Sequence, residues 1–459
     1  MEEAEDDDFG DFVTTISVTQ QAPLSLPISD AMFQAKSPSL LPDETVFTSS
    51  KSKPKIPEDK FVPWLESSPP PPPVDIEDNL TIEDLNVDGE GFLNDDPFFG
   101  SSLIKLEFTF GFISNANAAK TFKCQTVLNA KGDEVVMLKD FTDTVTKLTG
   151  GSLKFEIMPA GTVVGVKETL DAVDKGLIDC GFAWTHYWSG EHPAAMLFGS
   201  PVAGAGVGID NIAFLSWFQY GGGKQLYDQL WKEMGRNIKG FMLQPVGPEA
   251  LGWFKEPINS MADFRKYRFR TPPGIPGQTY KDIGVASVAM GGGDILPALE
   301  KGTIDAAEWC CPKPDSVFGF QKVLKHYYLQ GLHQVVVNAD LYVNGDVYKK
   351  MSKREKKAME VAANASLSKA MSYRIYENGK ALRDLTTKHG VILHDTPADY
   401  FPAYMAAAKK SLETNAAKNK FFAKVWNSQK KFADIAVPFW SGAQMSNAKL
   451  GMAHAATLK

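Results

Sequence analysis

Four short stretches carry side chains whose types and spacing could do chemistry. YRFRTPPG, Tyr267 to Gly274, sets arginines at alternate positions of a predicted strand. Arg268 and Arg270 therefore share a face, and Arg270 lies nearest the strand end. An arginine fork holds a carboxylate through two parallel hydrogen bonds, although one strand-end arginine by itself reads as a surface charge. GTIDAAEWCCP, Gly302 to Pro312, reads as a strand over 303–307, entered through a glycine and closed by a carboxylate, Glu308, and an aromatic, Trp309. GPEALGWF, Gly247 to Phe254, offers Glu249, and GLHQ, Gly331 to Gln334, offers the amide of Gln334. Two carboxylates and an amide oxygen suit a hard cation such as calcium or sodium. Each acid alone reads as an ordinary exposed or salt-bridged group. Trp184, Trp188, Trp253 and Trp309 could wall a ligand, but singly such residues are more often core.

Catalytic patterns are missing. GAGVG occurs near Gly204, but the strand and helix that a dinucleotide fingerprint needs do not flank it. There is no P-loop, no GxSxG and no HExxH. The seven histidines lack metal spacing. His186, His192, His326 and His333 could approach a cleft, yet nothing pairs them with a nucleophile. A hydrolase or lyase is therefore disfavoured.

An internal repeat supplies the elements that must position these groups. LDAVDKGLIDCGFAW, Leu170 to Trp184, matches LPALEKGTIDAAEWC, Leu296 to Cys310, at the leucine, the alanine, Lys-Gly and Ile-Asp. Each copy reads as a short helix, a glycine stop and a strand. Before the first copy, Val135, Leu138, Phe141, Val145 and Leu148 form one helical face, and 153–158 alternates as a strand. Before the second, Ser260 to Asp263 has capping-box spacing, followed by strand 267–271, helix 278–283 and strand 285–290. Two βαβ units predict parallel sheets, two α/β lobes and a cleft beyond the strand ends. Glu308 and Trp309 sit at that edge in the second lobe, and residues 184–188 in the first. After Asn338 the chain reads as mostly helical, with a capping box at Ser352 to Glu355, amphipathic stretches over 352–388, 397–415 and 419–434, and one more strand at 391–394.

The first hundred residues differ in character. They hold 22 acidic and 5 basic side chains, a net of −17, against +10 for the remainder. Such a step predicts two parts of different origin. The five prolines from Pro69 to Pro73 and the lack of hydrophobic periodicity predict disorder over 1–100. FGDF, Phe9 to Phe12, and DPF, Asp96 to Phe98, resemble peptides that bind clathrin adaptors, and the whole opening looks like the acidic start of aftiphilin-type trafficking proteins. An adaptor-binding interaction protein is thus the alternative function, with a solvated acidic tail as the plain one. Residues 101–118 look like the latter half of a secretory signal ending in Ala116-Asn117-Ala118, displaced from the N-terminus. That displacement suggests a junction between an unrelated leader and a once-exported protein, and puts export of the full chain in doubt. No stretch reaches the roughly 20 apolar residues of a membrane helix. Of the four cysteines, Cys124 and Cys180 fall in predicted strands, either as a disulfide or, more plainly, as two buried thiols. Zinc spacing is lacking.

FRTPPG, MGGGDILPALEKGTIDAAEW, FGFQKVLKHYYLQGLHQ and the YGGG of Tyr220 to Gly223 together resemble one family, the solute-binding proteins of TRAP transporters (tripartite ATP-independent periplasmic) of the 2-oxo-acid and lactate type. The match covers about residues 120 to 450. It implies an α/β fold like that of two-lobed periplasmic binding proteins. Lobe I would span 119–247, lobe II 248–337, and a mostly helical region 338–459 would pack on lobe I and the hinge. It implies a periplasmic receptor, not an enzyme, that closes on a small organic carboxylate and delivers it to membrane permease subunits. Arg270 would meet the substrate carboxylate. Glu308, with Trp309, Gln334 and Glu249, would hold a calcium or sodium ion that also meets the 2-oxo or 2-hydroxy oxygen. Glu249, Trp309 and Tyr187 would touch substrate, Tyr187 across a loop one residue longer than usual. The family places a glutamine where this chain has Glu249 and a glutamate where it has Gln334, so the two have exchanged places and the carboxylate count is kept. No nucleic-acid partner is expected, and the helical C-terminus could support a homodimer.

Overall fold

A computed structural model of the protein describes residues 119–457. The acidic segment 1–100, its FGDF and DPF peptides and the signal-like segment 101–118 lie outside the described residues. Among the described residues eleven strands form two mixed sheets. The first runs in the order β2-β1-β3-β10-β4 and the second β11-β9-β5-β8-β6-β7. The first sheet comprises β1 (Lys120–Thr126), β2 (Leu153–Met158), β3 (Cys180–Trp184), β4 (Ile238–Val246) and β10 (Val337–Asn344). The second comprises β5 (Gly252–Phe254), β6 (Arg268–Thr271), β7 (Ala286–Ala289), β8 (Ala306–Ala307), β9 (His326–Tyr328) and β11 (Ile392–His394).

The repeat sets the parallel half of each sheet. β1 pairs in parallel with β2 and β3, and β6 with β7 and β8. Helix Asp133–Leu148 makes the first crossover by burying Val135, Leu138, Phe141 and Val145. Leu148, expected on that face, is 41% exposed because the helix ends there. The capping residues act as their spacing predicts. Ser260 accepts from the Asp263 N–H, and Ser352 with Glu355 closes a reciprocal box at the head of helix Lys353–Lys388.

Wholly parallel sheets were the expectation, and the structure corrects it. β10 pairs antiparallel with both β3 and β4, and β5 antiparallel with both β8 and β9. The cause lies in two of the three places where the chain changes sheet. After β4 the chain leaves the first sheet and enters the second as β5. After β9 it returns to the first as β10. β10 also corrects the expectation of a helical region beginning at 338. Val337 to Leu341 alternates apolar and polar residues as a strand does, yet all eight residues are buried, and the polar Asn338 and Asp340 find partners in the Phe198 carbonyl and in Thr185 and Tyr227. The predicted helices beyond it form as Lys353–Lys388, Tyr400–Lys418 and Lys420–Ala456. The last outruns the predicted 419–434 by more than twenty residues, and its outer half stands largely exposed. Among the described residues no helix is long and apolar enough to cross a membrane.

Cys124 and Cys180 face each other in register on β1 and β3 and form a disulfide, in place of two separate buried thiols. The bond closes a loop with a sequence separation of 56 residues. A loop of that length restricts the unfolded chain by about 4 kcal/mol. The double variant Cys124→Ala/Cys180→Ala should therefore lose about 2–4 kcal/mol in chemical denaturation, by comparison with native disulfide removals. An unchanged midpoint and slope would show that the bond contributes nothing to folding.

Candidate functional site

The two crossings meet. The backbone N–H of Glu249 donates to the carbonyl of Gln334 at 3.0 Å. Gly331 fits there because a Cβ would stand 2.8 Å from the Glu249 carbonyl oxygen. The crossings thus place Glu249 and the pair His333–Gln334 beside one another, at the carboxyl ends of β6 and β8. Those ends supply Arg270 and Glu308. The end of β3 supplies residues 184–188, in a short 3-10 turn.

Arg270 and Glu308 are both buried and form an ion pair, Nη1 to Oε1 at 2.5 Å. Arg270 also donates from Nη1 to the Glu308 carbonyl, and from Nε and Nη2 to the Met290 carbonyl. These contacts use four of its five N–H groups. The fork expected to stand free for a ligand is therefore largely committed within the protein in this conformation. The guanidinium lies 5.2 Å from the centre of the Trp309 ring. That ring needs the glycine run before it, since a Cβ at Gly292 would come within 2.7 Å of the indole.

Behind the ion pair three polar groups converge. His333 Nε2 lies 3.5 Å from Glu249 Oε2 and 3.5 Å from Glu308 Oε2. None of these three atoms has a hydrogen-bond partner, and all three are buried. One ligand atom from each residue falls within 4.8 Å of the others. Buried polar atoms normally find partners. Three unpartnered atoms facing one point, two of them carboxylate oxygens, fit a cation. Burial pushes the Glu249 carboxyl up to about 8, against the pull of His333 and with the help of Glu308. Burial alone would lower His333, but its two carboxylate neighbours outweigh that and lift it to about 9.

His333 is the residue that sequence reasoning left without a partner. Its Nδ1 meets the Tyr280 hydroxyl at 2.9 Å, which fixes the ring. The preceding carbonyl, Leu332, accepts from the Ala203 N–H at 2.9 Å. Ala203, Gly204 and Ala205 all adopt left-handed backbone angles. For the alanines that geometry costs of order 1–3 kcal/mol each, so the surrounding structure must hold it. The GAGVG segment is thus a tight turn buttressing the second crossing. The only signal for His333 in the sequence was its place next to Gln334.

The other expected residues divide. Glu249, Arg270, Trp309, Gln334 and Tyr187 line one cavity of about 1240 Å³, together with Trp184 and Trp188. Gln334 donates its amide to Ser200 Oγ at 3.0 Å. Tyr187 packs its ring on Trp184 and His186, and burial holds its hydroxyl far above the usual range, against the opposing pull of Arg270. Trp253 does not reach the cavity. It is fully buried in the second sheet's core, stacked on Tyr327 at 4.1 Å and bonded to Asp315. Arg268 is an exposed surface charge paired with Asp305. His326 pairs with His394 on the strands β9 and β11, and His192 with Asn419.

A family model described as bacterial extracellular solute-binding protein, family 7, matches residues 126–419. A monocarboxylate 2-oxoacid-binding periplasmic protein of Nostoc sp. is 30% identical over 293 residues, covering 63% of this chain and 77% of its own. A TRAP transporter solute-binding protein of Bordetella bronchiseptica superposes with a TM-score of 0.69 at 26% identity, covering 75% of this chain and all of its own. Its crystals hold a dimer with copurified calcium and picolinate in one site and none in the other. A TRAP periplasmic solute-binding protein of Pseudoalteromonas atlantica, with bound sodium and pyruvate, shares the fold at a TM-score of 0.66 and 24% identity, covering 72% of this chain and 99% of its own.

One property of the site is open to direct measurement. Burial lowers His186, also on the cavity wall, to about 3, with Arg270 adding to the fall and the Gly199 backbone opposing it. The unfolded imidazole titrates near 6.5. Between these values the unfolded chain binds the extra proton, so stability rises with pH. Stability from His186 should be complete above about pH 6.5 and drain away as pH falls toward 3. His186→Gln should flatten that part of a denaturation-versus-pH profile. An unaltered profile would show that His186 is not the group responsible.

Proposed function

Because the chain belongs to family 7 of the bacterial extracellular solute-binding proteins, it is a solute receptor of the TRAP transporter type and not an enzyme, and we propose that it captures a 2-oxo or 2-hydroxy monocarboxylate together with a calcium or sodium ion. The observation that carries this reading is the set of three unpartnered buried atoms on Glu249, Glu308 and His333, behind the cavity wall to which Arg270 and Glu249 belong.

In this proposal Glu308 and Glu249 hold the cation, with Trp309 and Gln334 at its edge. The cation supplies a positive centre for the oxygen next to the substrate carboxylate. Arg270 takes the carboxylate itself, by its remaining Nη2 donor and by yielding part of its contact with Glu308. Trp309 and Tyr187 close over the substrate carbon skeleton and exclude water, which strengthens each charge contact. A buried carboxylate needs such partners, since desolvating it alone is costly. The backbone contact of Glu249 with Gln334 sets the two residues side by side, which is compatible with the exchanged placement of Glu and Gln. The family is periplasmic, and its members deliver their ligand to membrane permease subunits, which we take as the partners here.

Calorimetric titration of the full chain with pyruvate tests the reading. After chelation in sodium-free buffer no heat of binding is expected, and binding should return when calcium or sodium is restored. Arg270→Ala should abolish binding. Arg270→Lys, which keeps the charge and loses the fork, should weaken it about tenfold or more, some 1.4 kcal/mol. Normal binding by Arg270→Ala would remove the site assignment, and cation-independent binding would remove the metal.

We also propose a homodimer. The outer half of helix Lys420–Ala456 bares Ile435 (82% exposed), Phe439 (75%) and Leu450 (71%), large apolar side chains that a second copy would cover. Light scattering should give a dimer for the full chain and a monomer for Ile435→Glu/Phe439→Glu, which leaves the Trp440–Asp210 bond in place. A monomeric full chain would refute it.

A further inference from the structure

Two thiols follow Trp309 and have no part in holding a carboxylate or a cation. Cys310 and Cys311 are both free and both buried, and their sulfurs lie 2.8 Å apart. Cys310 lines the cavity. Cys311 sits behind it as the cap of helix Pro312–Phe318 and is not part of the lining. We propose that Cys310 and Cys311 are a redox pair that closes to a vicinal disulfide in the cavity wall, by exchange with an external disulfide that enters through the cavity.

Geometry and setting both favour closure. A disulfide bond is about 2.05 Å long, so the sulfurs need approach by only roughly 0.8 Å. No chain segment has to be brought in, because the two residues are adjacent. The chain carries a disulfide elsewhere, at Cys124–Cys180, and structural disulfides mark proteins that mature in oxidising compartments. A thiol pair in contact would meet the same oxidants there.

Both thiols are buried to the same degree, but only Cys310 lines the cavity, and that sets the order of events. The Cys310 thiolate attacks one sulfur of the external disulfide, whose sulfur–sulfur bond breaks. One thiol departs with the proton Cys310 gave up, leaving a mixed disulfide on Cys310. The Cys311 thiolate then attacks the Cys310 sulfur, and the second thiol leaves with the proton from Cys311. The pair loses two electrons and the external disulfide gains them. Cys310 is the attacking thiol and Cys311 the resolving one.

Closure would be felt in the site. Cys310 donates its N–H to Asp315 at 3.0 Å and accepts from the Ala250 N–H at 2.8 Å. It therefore links the run Glu308–Trp309 to the residue after Glu249. The eight-membered ring of a vicinal disulfide constrains the peptide between its cysteines, and that strain would pass to Trp309 and Glu249. This consequence rests on the receptor reading of the cavity, whereas formation of the bond does not.

The test uses the full chain, folded, incubated with excess oxidised glutathione, then denatured without reductant and alkylated with iodoacetamide. The wild type should take no alkyl group at Cys310 or Cys311, and a peptide map should place the cross-link there. Cys311→Ser should keep one glutathione on Cys310, since no resolving thiol remains. Cys310→Ser should take none and leave Cys311 to be alkylated. Alkylation of both cysteines in the oxidised wild type would overturn the proposal without recourse to a variant. A glutathione adduct on Cys310→Ser would overturn the assigned order. Pyruvate affinity with calcium present should differ by roughly threefold or more between oxidised and reduced wild type. Equal affinities would sever the pair from the site. No binding in either state would count against the receptor reading alone, because the thiol masses still decide the disulfide.

Discussion

An arginine cannot be buried without something to meet its charge, and Arg270 is only 4% exposed. Desolvating a guanidinium costs several kcal/mol, and removing the partner of such an ion is strongly destabilising. Much of the site follows from that demand. Glu308 supplies the counter-charge, Met290 and the Glu308 backbone take three more of the donors, and the Trp309 ring centre lies 5.2 Å from the guanidinium. Glu308 then has one oxygen spent and one unspent, and the unspent one faces Glu249 and His333. The surplus of acceptors over donors at that point is what makes a cation the natural third party.

The backbone brings these groups together through two of its crossings. β6 and β8 lie next to each other, so their ends place Arg270 and Glu308 side by side. Glu249 and His333 lie on two of the three segments that pass between the sheets. Because these two touch through Glu249 and Gln334, the site is built where they meet.

Around this centre the surroundings are stiff on one side and open on the other. Tyr280, Tyr400 and Tyr404 pack behind His333, and the left-handed turn at Ala203 to Ala205 holds its neighbour. Toward the cavity stand Tyr187, Trp184 and Trp309, broad rings with few polar atoms. A small anion entering there would meet charge at the floor and apolar surface on the walls. That is how ligand pockets commonly combine orientation with affinity.

The sequence by itself determined the local elements. The Lys-Gly helix stops of the repeat, the cap at Ser260, the capping box at Ser352 and the 3.6-residue face of Asp133–Leu148 are set by neighbours in the chain and form, whereas the strands expected over the Ile-Asp pairs begin just after them, at Cys180 and Ala306. It also singled out Glu249, Arg270, Trp309, Gln334 and Tyr187, which share one cavity wall. Only the tertiary structure decided what depends on distant partners. β10 is buried on both faces although its sequence sets polar residues at alternate positions, and β5 and β10 run against their neighbours because of the crossings. Trp253 went to the core because Tyr327 and Asp315 awaited it there. Cys124 met Cys180 through strand register across 56 positions. His333 gained its place between two carboxylates from residues 84 and 25 positions away, Glu249 and Glu308. Periodicity and capping act over a few residues and can be read along the chain. Burial of charge and pairing of strands act across space, and only the folded chain fixes who stands beside whom.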